Sequence, residues 1–314
     1  MSRAPLDRRA LGRELTRLAN ASAQSLLADA AAAAQGPAAV PATAAPAAPA
    51  RRIGLTGAPG AGKSSLAGRL ALYRSRQGAR RVGVLAVDPS SPHTGGAILG
   101  DRIRMDELPG SAELYIRSVG SRSSSDGLSD NLPEMLELME AHGFDEVLLE
   151  TVGVGQAEHA ARVQVDTLVL VLLPDSGDTV QAMKAGIMEL ADLYVVNKAD
   201  LPGAQRMAAD VQRVTALSRS APGAWQPPVL LASSQQPDSI AALSEAIDAH
   251  GRWLLARADG QALRLARARY RLGRVLERLL AEQVRALDAA SLQAPLAEQV
   301  RTVLGRMLAP PLRD

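Results

Sequence analysis

Between residues 51 and 250, short apolar runs rich in β-branched residues alternate with longer stretches of helical periodicity. The runs fall at 52–56, 81–87, 114–117, 146–151, 167–173, 193–197 and 229–233. Several are apolar almost throughout, without the polar alternation of a half-exposed strand. Strands covered on both faces by helices read this way. The stretches between them, such as 64–77 and 132–142, fit crossover helices. The pattern predicts an α/β fold built on a doubly wound, mainly parallel sheet.

The flanks differ. Residues 1–50 read as a polar helix followed by an Ala/Pro tract over 30–50, whose prolines and Gly36 forbid a continuous helix and predict a semi-rigid linker. Residues 251–314 carry no strand pattern. There Arg264, Arg267, Arg271, Arg274 and Arg278 recur at three- and four-residue intervals, with Leu265, Ala268, Leu272, Val275 and Leu279 on the neighbouring face. This is an amphipathic helix. The expected division is therefore an N-terminal helical extension with its linker (1–50), the α/β domain (51–250) and a C-terminal helical arm (251–314). The arm holds twelve arginines against six acids. A basic surface for an acidic partner is one reading; a solvated face beside a dimer seam is the simpler one, and it predicts a homodimer.

Composition narrows the classes. Cysteine is absent, which removes disulfides, Cys-ligated zinc and thiol nucleophiles. With 47% hydrophobic and 22% charged residues the chain can bury a core. A net charge of +2 is too small to argue for nucleic acid as a partner. No apolar run approaches the roughly 18–20 residues of a membrane-spanning helix, so no membrane partner is expected. The segment MSRAPLDRRALGRELTRL lacks the apolar core of a secretory leader, and a cytoplasmic location is expected. Its arginines leave an organellar transit peptide as the alternative, against which Asp7 and Glu14 count.

Chemistry concentrates in a few short motifs. Gly57-Ala58-Pro59-Gly60-Ala61-Gly62-Lys63-Ser64 matches G-x-x-x-x-G-K-[ST], follows an apolar run and opens a helix. Glycines let backbone amides turn inward around phosphate oxygens, and the helix adds its dipole. Lys63 would reach the outer phosphates and Ser64 would offer a hydroxyl to Mg²⁺, with Ser65 continuing the helix beside them. Asn197-Lys198-Ala199-Asp200 follows the run at 193–197. A carboxylate at Asp200 can accept from N1–H and the exocyclic amine of guanine, a donor pair that adenine lacks, so GTP/GDP is the expected nucleotide. Asn197 and Lys198 would brace that loop, and Ser233-Ser234-Gln235 fits a second loop closing over the base. Asp88 and Glu150 each sit at the end of an apolar run, where an acid can hold Mg²⁺ directly or through water. The Gly153 amide would sense the γ-phosphate.

Taken together, these residues resemble the G-protein chaperones of B12-dependent acyl-CoA mutases. That family is the MeaB and methylmalonic aciduria type A group, formerly labelled ArgK or LAO/AO transport ATPases. The resemblance runs through GLTGAPGAGKSS (54–65), LAVDPSSPHTGGAILGDRIRM (85–105), ETVGVGQ (150–156), DSGDTVQAMKAGIMELAD (175–192) and NKAD (197–200). It implies a P-loop GTPase domain in which Asp88, Asp101 and Glu150 join Ser64 around Mg²⁺. It also implies a first switch at 90–101, a second at 150–156 and a partner-shaped third at 175–186. Gln181 and Lys184 would approach the nucleotide in the activated complex, Lys184 acting as an arginine finger does. The implied catalytic set is Lys63, Glu150, Lys184, Gln181 and Asp101.

The implied partner is a B12-dependent acyl-CoA mutase, so adenosylcobalamin enters only through that partner. The stretch 117–128 departs from the glycine-rich version of stand-alone members and is closer to members fused to their mutase. This leaves methylmalonyl-CoA, isobutyryl-CoA and 2-hydroxyisobutyryl-CoA mutases as alternatives. Two rival functions are a nickel metallochaperone GTPase, opposed by the lack of Cys and the scattered His93, His142, His159 and His250, and an ATP-dependent transport kinase, opposed by Asp200. Only three basic residues are lysine: Lys63, Lys184 and Lys198. Two of them stand where a slim ammonium fits and a planar guanidinium would not, which draws attention to the third.

Overall fold

The computed structural model describes residues 5–35, 49–78, 80–89, 113–121, 128–151, 156–174, 186–217, 223–233, 236–257 and 260–308. Among the described residues seven strands form one sheet: β1 (Arg51–Thr56), β2 (Val82–Pro89), β3 (Leu114–Ser121), β4 (Glu146–Glu150), β5 (Thr167–Leu172), β6 (Leu193–Val196) and β7 (Val229–Leu231). Their order is β3-β2-β4-β1-β5-β6-β7, and every neighbouring pair is parallel. The doubly wound α/β reading thus holds, with a sheet that is wholly parallel.

Every residue of β4, β5 and β6 is buried, which is why these runs show no alternation. One face is covered by α3 (Lys63–Arg76) and α7 (Pro237–Ala256), packing Leu66, Leu70, Leu243 and Ile247 onto Ile53, Leu55, Val169 and Val171. The other carries α1 (Arg8–Asn20), α4 (Leu132–Ala141) and α5 (Gln156–Gln164), with α6 (Ala204–Leu217) beside β6. The expected run at 114–117 extends to Ser121, because each residue of β3 pairs along β2 as far as Pro89. At the amino-terminal ends of the strands the buried Arg74 donates to Glu146 at 2.6 and 2.5 Å and to Asp248 at 2.7 Å, joining α3, β4 and α7.

The N-terminal extension holds two helices rather than one. A second, α2 (Ala23–Gln35), runs through alanines expected to begin the linker; alanine has the highest helix propensity, and the first proline arrives only at Pro37. Glu282 accepts from the Ala23 amide at 2.8 Å and so caps α2 from the C-terminal arm. That arm contains α8 (Gly260–Arg285), α9 (Ala289–Gln293) and α10 (Leu296–Leu308).

The arginine face of α8 is only partly solvated, and here the expectation is corrected. Arg267 pairs with Asp166 at 2.7 Å and Arg271 with Glu134 and Glu137, each at 2.8 Å. Arg278 donates to the Asn131 side chain and to the Ala21 carbonyl. The polar stripe docks on acids of the α/β body. The apolar stripe is turned outward over its first half, leaving Leu265 61% and Leu272 60% exposed, while Leu279 further along is buried. Amphipathic spacing distinguishes two faces but does not say which one meets the protein.

Candidate functional site

The chemistry-bearing residues gather at the carboxyl ends of β1, β2, β4, β6 and β7, the crevice edge where open parallel sheets bind ligands. The loop 57–62 leaves β1 and turns into α3. Gly57 has φ +143°, and a Cβ there would lie 2.0 Å from the Val171 carbonyl oxygen. Gly62, at φ +84°, would place a Cβ 2.5 Å from Asn197 Nδ2. Both positions demand glycine for backbone conformation and for space. Ala58 and Ala61 are buried beneath the loop, while Pro59 and Gly60 face solvent with Ser65 just beyond. Lys63 is buried, and its ammonium donates to the Gly57 and Ala58 carbonyls at 2.8 and 3.0 Å. The lysine therefore spans the rim of the loop, where phosphate oxygens would meet it.

Ser64 Oγ donates to Glu150 Oε1 at 2.5 Å, joining the start of α3 to the end of β4. Asp88 lies two residues beyond Ala86, the residue of β2 that pairs with Glu150. Both carboxylates are buried. Among the described residues no three His, Asp or Glu side chains form a ready-made metal cage. A hydroxyl and two carboxylates are instead an all-oxygen, incomplete donor set. That chemistry fits a hard cation that keeps waters and takes phosphate oxygens, so these three residues can hold Mg²⁺.

The residues expected to read the base are tied to the phosphate loop itself. Asn197 Nδ2 donates to the Ala61 carbonyl at 2.8 Å and Lys198 Nζ to the Gly60 carbonyl at 3.1 Å. Lys198 holds φ +53°, the only positive φ found at a non-glycine among the described residues. That strained turn is fixed by the Ala199 amide bonding to Ala232 and by Leu201 bonding back to Lys198. Asp200 is exposed, and Ser233 Oγ donates to it at 2.6 Å. This bond holds the Asp200 carboxyl below the usual carboxylate range. Neighbouring strands thus deliver an ionised acceptor, already oriented, beside a loop shaped for phosphates.

Against this geometry, a family profile described as the methylmalonyl Co-A mutase-associated GTPase MeaB matches residues 25–289. The chain belongs to the MeaB family. Its relatives include a putative GTPase of Pyrococcus horikoshii, 42% identical over 208 residues, which are 64% of this chain and 64% of that protein. The mitochondrial methylmalonic aciduria type A homolog of Mus musculus is 35% identical over 262 residues, 82% of this chain and 62% of its own length. GTPase ArgK of Escherichia coli is 40% identical over 199 residues, 62% of this chain and 60% of its own. The chain thus spans a little under two thirds of the length of these curated relatives. A solved structure described as an LAO/AO transport system kinase aligns with a TM-score of 0.59 at 24% identity, over 98% of this chain and all of that one, a likeness of fold.

In this MeaB-family chain the expected site residues divide into two groups. Hydrogen bonds bring together Gly57 to Ser64 with Glu150, Asn197 and Lys198, and Asp200 with Ser233, while the strand register sets Asp88 two residues beyond the partner of Glu150. Asp101, Gly153, Gln181, Lys184, Ser234 and Gln235 lie outside the described residues, as do most of the three expected switches. Sequence reading missed a buried chain of hydroxyls behind the loop. Thr151 Oγ1 donates to Thr56 Oγ1 at 3.0 Å, and Thr56 Oγ1 donates to Glu158 Oε1 at 3.2 Å. These residues stand immediately before the phosphate loop, immediately after Glu150 and in the first turn of α5. No fixed spacing announces such a chain.

Proposed function

We propose that this MeaB-family protein binds GTP and hydrolyses it to GDP and phosphate, slowly and with stimulation by a partner. Its cycle would gate the loading, protection or reactivation of adenosylcobalamin in a B12-dependent acyl-CoA mutase of the methylmalonyl-, isobutyryl- or 2-hydroxyisobutyryl-CoA type. The observation that carries the nucleotide reading is the Asp200 carboxylate, held by Ser233 on a loop whose Asn197 and Lys198 bond directly to the phosphate loop. Base recognition and phosphate recognition would thus be joined by direct bonds, and a carboxylate in that place favours guanine over adenine.

Phosphoryl transfer to water calls for an oriented nucleophile and positive charge on the β- and γ-oxygens, without a covalent intermediate. Mg²⁺, when bound, would neutralise those oxygens. Ser64, Asp88, Glu150 and Asp101 would hold it. Lys63 would leave the Gly57 and Ala58 carbonyls for the phosphates, gaining a stronger charge-assisted partner. Gly153 would donate to the γ-phosphate, and Ser234 and Gln235 would complete the wall around the base. Lys184 and Gln181, carried on the segment 175–186, would complete the site when the mutase docks.

The division into N-terminal helices, GTPase domain and C-terminal arm belongs to the same reading, as do a cytoplasmic location and a homodimer. Among the described residues no helix is long and apolar enough to cross a membrane. The exposed leucines of α8 and α10 supply a seam for a second copy. Phosphate release measured with and without each candidate mutase tests the partner. The correct mutase should accelerate turnover, and Lys184→Ala should remove that stimulation. If no B12-dependent mutase changes the rate or is retained on the immobilised protein, the chaperone role is wrong.

A further inference from the structure

The connection 152–155 is bracketed by Thr151 and α5, and both brackets are anchored on one hydroxyl. Thr56 ends β1, directly before Gly57, and is fully buried. It accepts from Thr151 Oγ1 at 3.0 Å and donates to Glu158 Oε1 at 3.2 Å. Thr151 is also pinned through its backbone, its amide donating to Leu55 O at 3.1 Å. Thr151 and Glu158 are, like Thr56, shut off from solvent, at 1% and 0% exposure. Such a buried chain has directional demands. Thr56 has one proton, and giving it to the carboxylate leaves its lone pairs to receive Thr151. The order of donors is therefore dictated by the acid at its end.

We infer that Glu158, acting through Thr56 and Thr151, is a positioning residue that ties the residue after Glu150 and the first turn of α5 to the residue before the phosphate loop, and so sets how the protein tells GTP from GDP. The inference deepens the GTPase reading and rests on it. A group that senses a γ-phosphate must be held at a fixed distance from the β-phosphate cradle. Here the cradle starts at Gly57, and the preceding residue bonds Thr151 and Glu158, described residues that flank 152–155. Loosening that tie would leave the cradle and the base loop intact, because Lys63, Asn197, Lys198 and Asp200 make none of these bonds. The loss should therefore fall on the triphosphate alone.

The test uses the full-length chain, a fluorescent GDP and a non-hydrolysable GTP analogue, with Thr151→Val, Thr56→Val, Glu158→Leu and Glu158→Gln. Each valine keeps shape and removes a hydroxyl, and Gln keeps an oxygen acceptor for Thr56. Removing a buried hydrogen bond should weaken binding of the GTP analogue by roughly 5–10-fold. GDP binding should change by less than about twofold. Thr56→Val and Thr151→Val combined should cost no more than Thr56→Val alone, since both break one chain. Glu158→Gln should restore most of the discrimination that Glu158→Leu loses. Equal weakening of GDP and the analogue, or no change in either, would overturn the inference while leaving the GTPase reading standing. Failure of the wild-type chain to bind either guanine nucleotide would overturn both. Glu158→Leu leaves a buried carboxylate site apolar and can unfold the chain; the isosteric Thr151→Val then decides alone.

Discussion

In the proposed function, base specificity turns on Asp200. Because Ser233 already orients its carboxylate, little ordering is needed when guanine arrives. Asp200→Ala should weaken GDP binding on the order of 10²-fold while leaving ADP binding unchanged, as read by calorimetry with both nucleotides. A second residue-scale prediction concerns acid. Burial pushes the Asp192 carboxyl up to about 6 and the His250 imidazole down to about 4. The two touch, with Nε2 3.4 Å from Oδ1, and His250 stacks on Trp253. The folded state holds an extra proton at Asp192 between pH about 4 and 6, so that residue makes stability fall as pH rises. His250 acts oppositely, because the unfolded chain protonates it below about 6.5 while the fold keeps it neutral down to about 4. The slopes offset each other. Asp192→Asn should therefore unmask a loss of stability as pH drops from about 6.5 to 4, and His250→Gln a gain, by about 2–3 kcal/mol in denaturant titrations. Parallel pH profiles for both variants and wild type would sink this account.

At the scale of elements, what could be read from the sequence separates cleanly from what could not. The loop 57–64 and the turn 197–200 were legible because their chemistry is local: glycines at fixed spacing, a lysine, a carboxylate at a strand end. The buried strands were legible because burial on both faces removes alternation. The orientation of α8 was not legible, since its arginines and leucines define two faces equally well. Only the acids Glu134, Glu137 and Asp166, distant in sequence, decide which face docks. The Thr56–Thr151–Glu158 chain was hidden for the same reason. The consequence of α8's orientation is testable. Leu272 and Leu276, at 60% and 47% exposure, lie on one stripe turned from the body. An exposed stripe of this length is expected to be covered. Leu272→Glu with Leu276→Glu should convert a dimer to a monomer in light scattering, with the melting temperature little changed. A monomeric wild type, or a variant that remains dimeric, would remove α8 from the interface.

For the molecule as a whole, the parallel sheet places a phosphate loop, an oxygen donor set and the carboxylate proposed to read the base along one edge. The two helical flanks clamp each other: Glu282 caps α2, and Arg278 reaches the end of α1 through the Ala21 carbonyl. The expected switches, most of which fall outside the described residues, would carry the proposed coupling between that edge and a partner. The whole account therefore stands on the identity of the nucleotide. Steady-state phosphate release with GTP and ATP, side by side and with and without Mg²⁺, tests it most directly. The account predicts slow turnover of GTP that requires Mg²⁺ and exceeds that of ATP by at least about 10²-fold. Equal rates with the two nucleotides, or turnover indifferent to Mg²⁺, would contradict it.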